Sequence, residues 1–211
     1  MRHKPSNPLR KEDWRVDTCS LEQAYTLVKR LHYAAGSANT ATFRHGLYRN
    51  EEWPFVVAGC ALWMPPTRKA AEASLRSASM DDGCWRQVLT LSRLVIEPDV
   101  PTNAASFLIS RSEKLIRQDG RWLLLVTYAD EWQGHTGAIY RASGWEYVGT
   151  TQPALAYVVN GRMLSRKAGP KTRTHQEMLD MGAEVRGPFR KHKFMKTLKP
   201  AVRESKQEVW Q

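Results

Sequence analysis

The stretch Trp122-Leu-Leu-Leu-Val126 contains no polar side chain. Successive side chains of a strand point to opposite faces of its sheet. A strand with one wet face therefore alternates, and an unbroken apolar run describes a strand covered on both faces. The flanking segments can supply that cover. Ser20 and Gln23 form a capping-box pattern. Leu21, Ala24, Tyr25, Val28 and Leu31 then recur at helical spacing, and the helix ends near His32-Tyr33. Asn103 can cap a second helix running to about Gln118, with Ala104, Phe107, Leu108 and Leu115 on its inner face.

Strands are expected at Phe55 to Trp63, Trp85 to Ile96 and Arg121 to Tyr128, the first two stopped by Pro65-Pro66 and by Pro98 with Pro101. Residues 34–50 are rich in Gly, Ser, Asn and Thr and read as a loop; residues 67–83 fit a helix or a loop equally. A short helix over 135–143 is closed by Gly144, and strands follow at Trp145 to Gly149 and Ala154 to Val159. Asn160-Gly161 is a two-residue hairpin signal, so Arg162 to Ser165 pairs back. Thr174 and Glu177 cap a last short helix ended by Gly182. The order describes one α/β (α+β) domain over residues 17–165. An arm (1–16) precedes it and a basic C-terminal extension (166–211) follows.

The net charge is +11, and residues 161–211 hold 13 Lys and Arg against 5 Asp and Glu. Such a surface favours polyanions. A solubilising tail would carry the same charge, but it has no use for the aromatics interleaved in Pro188-Phe189-Arg190-Lys191-His192-Lys193-Phe194. Arg190, Lys191 and Lys193 are thus candidate nucleic-acid contacts. The three cysteines, Cys19, Cys60 and Cys84, are widely spaced and odd in number, which excludes a full disulfide framework and any CxxC metal knuckle. No apolar run approaches the roughly 18 residues of a membrane helix, and the first residues, MRHKPSNPLRKEDW, have no apolar signal core. No membrane partner is expected, and a reducing, cytoplasmic setting is.

The strand Gln87 to Ile96 leads through Glu97-Pro98 to a helix start, and Ala138-Ile-Tyr140-Arg-Ala-Ser-Gly144-Trp145 sets a Tyr before a Gly-aromatic pair. Both features resemble the GCN5-related N-acetyltransferase (GNAT) fold, a central mixed sheet flanked by helices. The longer string Tyr128-Ala-Asp130-Glu-Trp-Gln-Gly134-His135-Thr-Gly137-Ala-Ile-Tyr140, with Leu31-His32-Tyr33 and Leu91-Ser92-Arg93, resembles the Mom family of Mu-like bacteriophages. The resemblance implies conversion of adenine in double-stranded phage DNA to N6-(carbamoylmethyl)adenine, shielding it from restriction in the cytoplasm of the infected bacterium. It also implies an acyl donor held by the strand and helix around Arg93 and Asn103, and a Tyr140 that protonates the leaving group.

Coenzyme A users place a glycine-rich turn before the donor helix, so that bare N–H groups cradle the pyrophosphate. Here that stretch is Glu97-Pro-Asp-Val-Pro-Thr-Asn103, without glycine and with two prolines. The product's CH2–C(=O)–NH2 group contains a nitrogen that acetyl lacks, whereas a glycyl ester has every atom required. Glycyl-tRNA is therefore the favoured donor, with tRNA a second polyanionic partner, and acetyl-CoA is the alternative. The adenine must be flipped out of the stack to react.

Tyr140, Asp130, His32, Tyr33 and Ser92 are the catalytic candidates; Arg93, Asn103 and His135 are the donor-binding ones. Each has a structural alternative: Tyr140 a packed core residue, Asp130 and His135 helix caps, Arg93 an internal ion pair. Ser92 and Arg93 are expected on opposite sheet faces. Arg44, His45, Tyr48 and Arg49, beside the loop that in this fold covers the acceptor, are candidate DNA contacts, with polar loop decoration equally open. His32, His45, Asp130 and His135 lack metal-ligand spacing, so no metal is expected. Two rival readings stay open: an acetyl-CoA-dependent N-acetyltransferase of protein or small amine, and a non-catalytic DNA-binding protein.

Overall fold

The capping box forms as its residues dictate. Ser20 Oγ accepts the Gln23 N–H at 3.1 Å and Gln23 Oε1 accepts the Ser20 N–H at 2.9 Å. Helix α1 (Leu21–Leu31) runs from there to His32. A computed structural model describes residues 7–32, 40–168 and 170–198. In chain order its other elements are β1 (Trp14–Thr18), β2 (Phe43–Arg49), β3 (Gly59–Met64), α2 (Arg68–Ser77), β4 (Val88–Ile96), α3 (Ala104–Asp119), β5 (Leu124–Asp130), α4 (Ala138–Ala142), β6 (Glu146–Thr150), β7 (Ala154–Val159), β8 (Arg162–Met163), β9 (Lys167–Ala168), β10 (Lys171–Thr172), α5 (His175–Asp180), β11 (Glu184–Phe189) and β12 (Lys191–Thr197).

Seven strands form the main sheet in the order β1-β2-β3-β4-β5-β12-β6. The β4–β5 pair is parallel and every other pair is antiparallel. Helices α3 and α4 cover one face. Leu108, Ile109, Ile116 and Tyr140 pack there on Leu47, Trp63, Leu89, Leu125 and Phe194. On the other face α1 packs on Tyr48, Cys60, Leu62 and Val95, and α2 on Val88, Leu124, Val126 and Met195. Leu124, Leu125 and Val126 are thus buried from both sides, as the apolar run requires. A second sheet, β11-β7-β8, stands beside the main one. The Asn160-Gly161 turn takes positive φ at both residues (50° and 74°) and closes β7 on β8.

Several segments differ from the sequence expectation. The stretch read as a loop over 34–50 contains β2. Its alternation is hidden because Gly46 occupies a strand position: a Cβ there would lie 2.8 Å from the Tyr48 ring. Phe55 is in a turn and 81% exposed, so β3 starts at Gly59 rather than Phe55. Lastly, the segment expected to begin a separate basic extension at 166 returns to the core. Strand β12 lies between β5 and β6, burying Phe194 and Met195, so the sheet is complete only with residues 191–197. The amino-terminal stretch also contributes, through buried Leu9 and Trp14. All three cysteines are free thiols, and among the described residues no helix is long and apolar enough to cross a membrane.

Candidate active site

The parallel strands β4 and β5 pair only over Val88–Leu91 with Leu124–Thr127. Beyond that point β4 bulges. Its register against β3 jumps from Leu91↔Trp63 to Arg93↔Leu62, leaving Ser92 as the extra residue, and Ser92 Oγ donates to Leu62 O at 3.0 Å. A bulge bends its strand and re-aims nearby side chains. A cleft of about 440 Å³ opens here, lined by His32 at the end of α1, by Ser92 and Arg93, and by Tyr128, His135 and Tyr140 from the β5–α4 segment.

Tyr140 is held rigidly. Its ring centroid lies 5.4 Å from that of Phe194 and 5.9 Å from that of Trp145. The backbone approaches closely at Gly137, where φ is +75° and a Cβ would meet the Phe194 ring at 2.2 Å; only glycine suits that position. Burial pushes the Tyr140 phenol above its ordinary pKa, and a hydrogen bond with Thr127 opposes this. Thr127 Oγ1 in turn donates to Leu91 O at 3.3 Å, across the last paired residues of β4 and β5. A phenol so placed stays protonated at neutral pH. The core packing and the cleft position are both real for this residue.

Asp130 ends β5 with its side chain 6% exposed, and its Oδ2 lies 3.0 Å from Lys191 Nζ. Its Oδ1 accepts the Trp132 N–H at 3.2 Å, so the cap reading holds, for a short 3-10 turn over Glu131–Gln133. Asp130 lines a second cavity of about 580 Å³ between the β5 end and the β7–β11 sheet. Arg93 lines both cavities, so the two adjoin there. Arg93 Nη1 also donates to Ser92 O at 2.7 Å.

Several candidates fall elsewhere. Asn103 does not line the cleft; its Oδ1 accepts the Leu9 N–H at 2.5 Å, tying the amino-terminal segment to the start of α3. His45 and Tyr48, expected at the DNA surface, are 3% and 1% exposed. His45 stacks on Phe43, and burial pulls its pKa down to about 4. Tyr48 donates to Thr18 O at 3.2 Å. Arg49 is occupied by Glu52 (3.1 Å) and Asp99 (3.6 Å) and sits over the Trp14 ring. Arg44 is half-buried and donates to Ala41 O. Alternating side chains of a strand, rather than a loop's free ones, explain all four. Arg190 is exposed, Lys191 is paired with Asp130, and Lys193 is half-buried, with burial lowering its pKa. Tyr33 lies outside the described residues. Among the described residues no group of three or more His, Cys, Asp or Glu is disposed to hold a metal ion.

The β4–α3 turn offers a coenzyme diphosphate fewer N–H groups than a glycine-rich turn would. Pro98 and Pro101 have no N–H, and those of Val100 and Ala104 are already given to Glu97 O and Pro101 O. The turn also carries Glu97, paired with Arg30, and Asp99. The sequence reading overlooked Trp132, Tyr157 and Arg166, which line the second cavity. Their elements carry no spacing that announces a site; Phe189, at the same cavity, was visible as an aromatic among basic residues.

A sheet opened between parallel β4 and β5, with a bulge on β4 and a cleft beyond it, is the arrangement of the GNAT fold. Solved structures agree on the fold. The ribosomal-protein-S18-alanine N-acetyltransferase of Escherichia coli aligns with TM-score 0.51 at 11% identity, over 90% of this chain and 97% of that one. An N-acetyltransferase from Staphylococcus aureus Mu50 aligns with TM-score 0.51 at 12% identity, over 88% and 99%. A GNAT-family acetyltransferase from Streptococcus pneumoniae gives 0.51 at 11%, over 88% and 99%. The Mom protein family profile matches residues 13–209, and the chain belongs to that family. Methylcarbamoylase mom of Escherichia phage Mu is 26% identical over 154 residues, covering 71% of this chain and 59% of that protein. The chain thus spans less than two thirds of that relative's length.

Proposed function

We propose that this protein is a transferase that modifies adenine in double-stranded DNA, producing N6-(carbamoylmethyl)adenine and so denying host restriction enzymes their target during phage infection. The observation that carries the reading is the β4–β5 cleft with Tyr140 at its wall, in a chain of the Mom family. The donor in this reading is a glycyl ester, glycyl-tRNA, because the β4–α3 turn is a poor seat for a diphosphate and because only glycine brings the product's second nitrogen.

N6 of adenine attacks the ester carbonyl. The C–O bond breaks, and Tyr140, kept protonated by burial, gives its proton to the departing oxygen. Asp130 takes the proton that N6 loses. The free glycyl amine then attacks ring C6 through a five-membered ring, the original N6 departs as the amide nitrogen, and the product is an isomer of the glycylated base. Ser92, fixed by its bond to Leu62 O, and Arg93 hold the ester at the bulge.

Purified protein supplied with plasmid DNA and glycyl-tRNA carrying [15N]glycine tests the reading. The expected product carries the label on the nitrogen bonded to ring C6 and none in the amide. A label confined to the amide overturns the rearrangement. Modification supported by acetyl-CoA in the absence of any aminoacyl-tRNA overturns the glycyl donor.

A further inference from the structure

The second cavity has the chemistry of a purine site. Its walls are largely apolar, with Leu155 and Met163 from the small sheet, buried Tyr157, and an aromatic corner where Trp132 and Phe189 meet edge to face with centroids 5.1 Å apart. The one carboxylate in its lining is Asp130, paired with Lys191, and Arg93 lines the cavity too. Arg166 also lines it. Among the described residues, neither Arg166 nor the exposed Lys167 and Arg190 enters an ion pair. A π-face, an exocyclic amine and a flanking phosphate together match an aromatic wall, a buried carboxylate with room for a further donor, and nearby cations. An aliphatic ligand would leave the aromatic corner without a π-face to meet, and an uncharged one would leave the cationic side chains without an anion.

Building on the proposed function, we infer that this cavity receives the flipped adenine of the DNA, with Trp132 and Phe189 forming the aromatic wall against the base and Asp130 accepting a hydrogen bond from its exocyclic amine. The two cavities then hold the two reactants: acyl donor in the β4–β5 cleft, base beside the small sheet. They adjoin at Arg93, where N6 meets the ester. The arrangement also accounts for the carboxy-terminal strands: β11 brings Phe189 and β12 brings Lys191 to a site that the β4–β5 core alone would leave half-walled.

The test compares binding of two DNA duplexes, one with a fully paired target adenine and one with the same adenine facing an abasic site. An unpaired base costs less to extrude. The wild type should prefer the abasic-opposed duplex by about tenfold, the scale of one stacked base. Trp132→Ala, which removes the wall, and Ala154→Trp, which fills the cavity from the exposed start of β7, should each abolish the preference. Trp132→Phe should keep most of it. Steady-state modification kinetics on the same proteins should place the defect in KM for DNA and leave KM for the donor unchanged. A preference indifferent to both variants overturns the inference even if the wild type modifies DNA; so does a defect confined to the donor, which would give this cavity to the tRNA end instead. A preference lost in both variants by a protein that forms no modified adenine supports the base site and counts against the reaction.

Discussion

Lys191 Nζ lies 3.0 Å from Asp130 Oδ2, joining the last residue of β5 to the first of β12. A segment near the carboxyl end therefore holds the carboxylate on which the proposed chemistry depends. Asp130→Asn keeps the shape and loses the base, so the modification rate should fall about 10²- to 10⁴-fold with little change in thermal stability. Lys191→Met leaves Asp130 without this partner. Because Lys191 is half exposed, solvent screening limits the stability loss to about 1 kcal/mol, measurable by urea denaturation. An Asp130→Asn enzyme with full activity would remove Asp130 from the mechanism.

Gly137 sets the position of Tyr140. Gly137→Ala forces a methyl into the Phe194 ring and demands a positive φ. It should destabilise by more than about 1 kcal/mol and reduce modification through displacement of α4. Phe194→Leu should relieve part of the clash, so the double variant is less destabilised than the sum of the two singles. Additive denaturation energies would contradict the contact.

A buried network locks α3 to β12. Glu113, 4% exposed, accepts from Trp145 Nε1 at 2.6 Å and pairs with Lys196 Nζ at 2.6 Å, and Lys196 also donates to Ser143 O at 2.7 Å. Removing one partner strands a buried charge, so Lys196→Met should cost about 3 kcal/mol. Glu113→Gln keeps an acceptor for Trp145 and should cost less. Equilibrium unfolding of the two variants decides the ranking; equal costs would show that the ion pair adds nothing beyond the hydrogen bonds.

His45 gives the fold an acid-sensitive limb. Burial pulls its folded pKa down to about 4, from an ordinary 6.5. Between those values the unfolded chain binds a proton that the folded one refuses, so stability rises with pH. As pH falls from 6.5 towards 4, stability should drop by up to about 3 kcal/mol from this group. His45→Phe should flatten that limb in pH-dependent melting, and an unchanged slope would assign it to other groups.

Much of the frame was legible because local rules and packing agreed. The Ser20–Gln23 and Thr174–Glu177 boxes, the Asn160-Gly161 hairpin and the run Trp122 to Val126 each carry their structure in a few adjacent residues. Strands β1, β2 and β12 were not legible. β1 has only five residues, the apolar faces of β2 and β12 are interrupted by Gly46 and by lysines, and the stability of all three comes from partners distant in sequence. The same gap misplaced part of the site. Tyr140, His32, Ser92, Arg93 and His135 share one cleft because they follow the β4 and β5 frame. His45 and Tyr48 belong to a buried strand and not to a surface loop, and Trp132 and Tyr157, 25 residues apart, line one cavity only once the small sheet has formed.

The central claim is best tested by nucleoside mass spectrometry of plasmid DNA from bacteria expressing the protein. The wild type should yield a deoxyadenosine derivative at the mass of the carbamoylmethyl product, absent with Tyr140→Phe and Asp130→Ala. Unmodified DNA from cells holding folded wild-type protein, or a product undiminished by both substitutions, would contradict it.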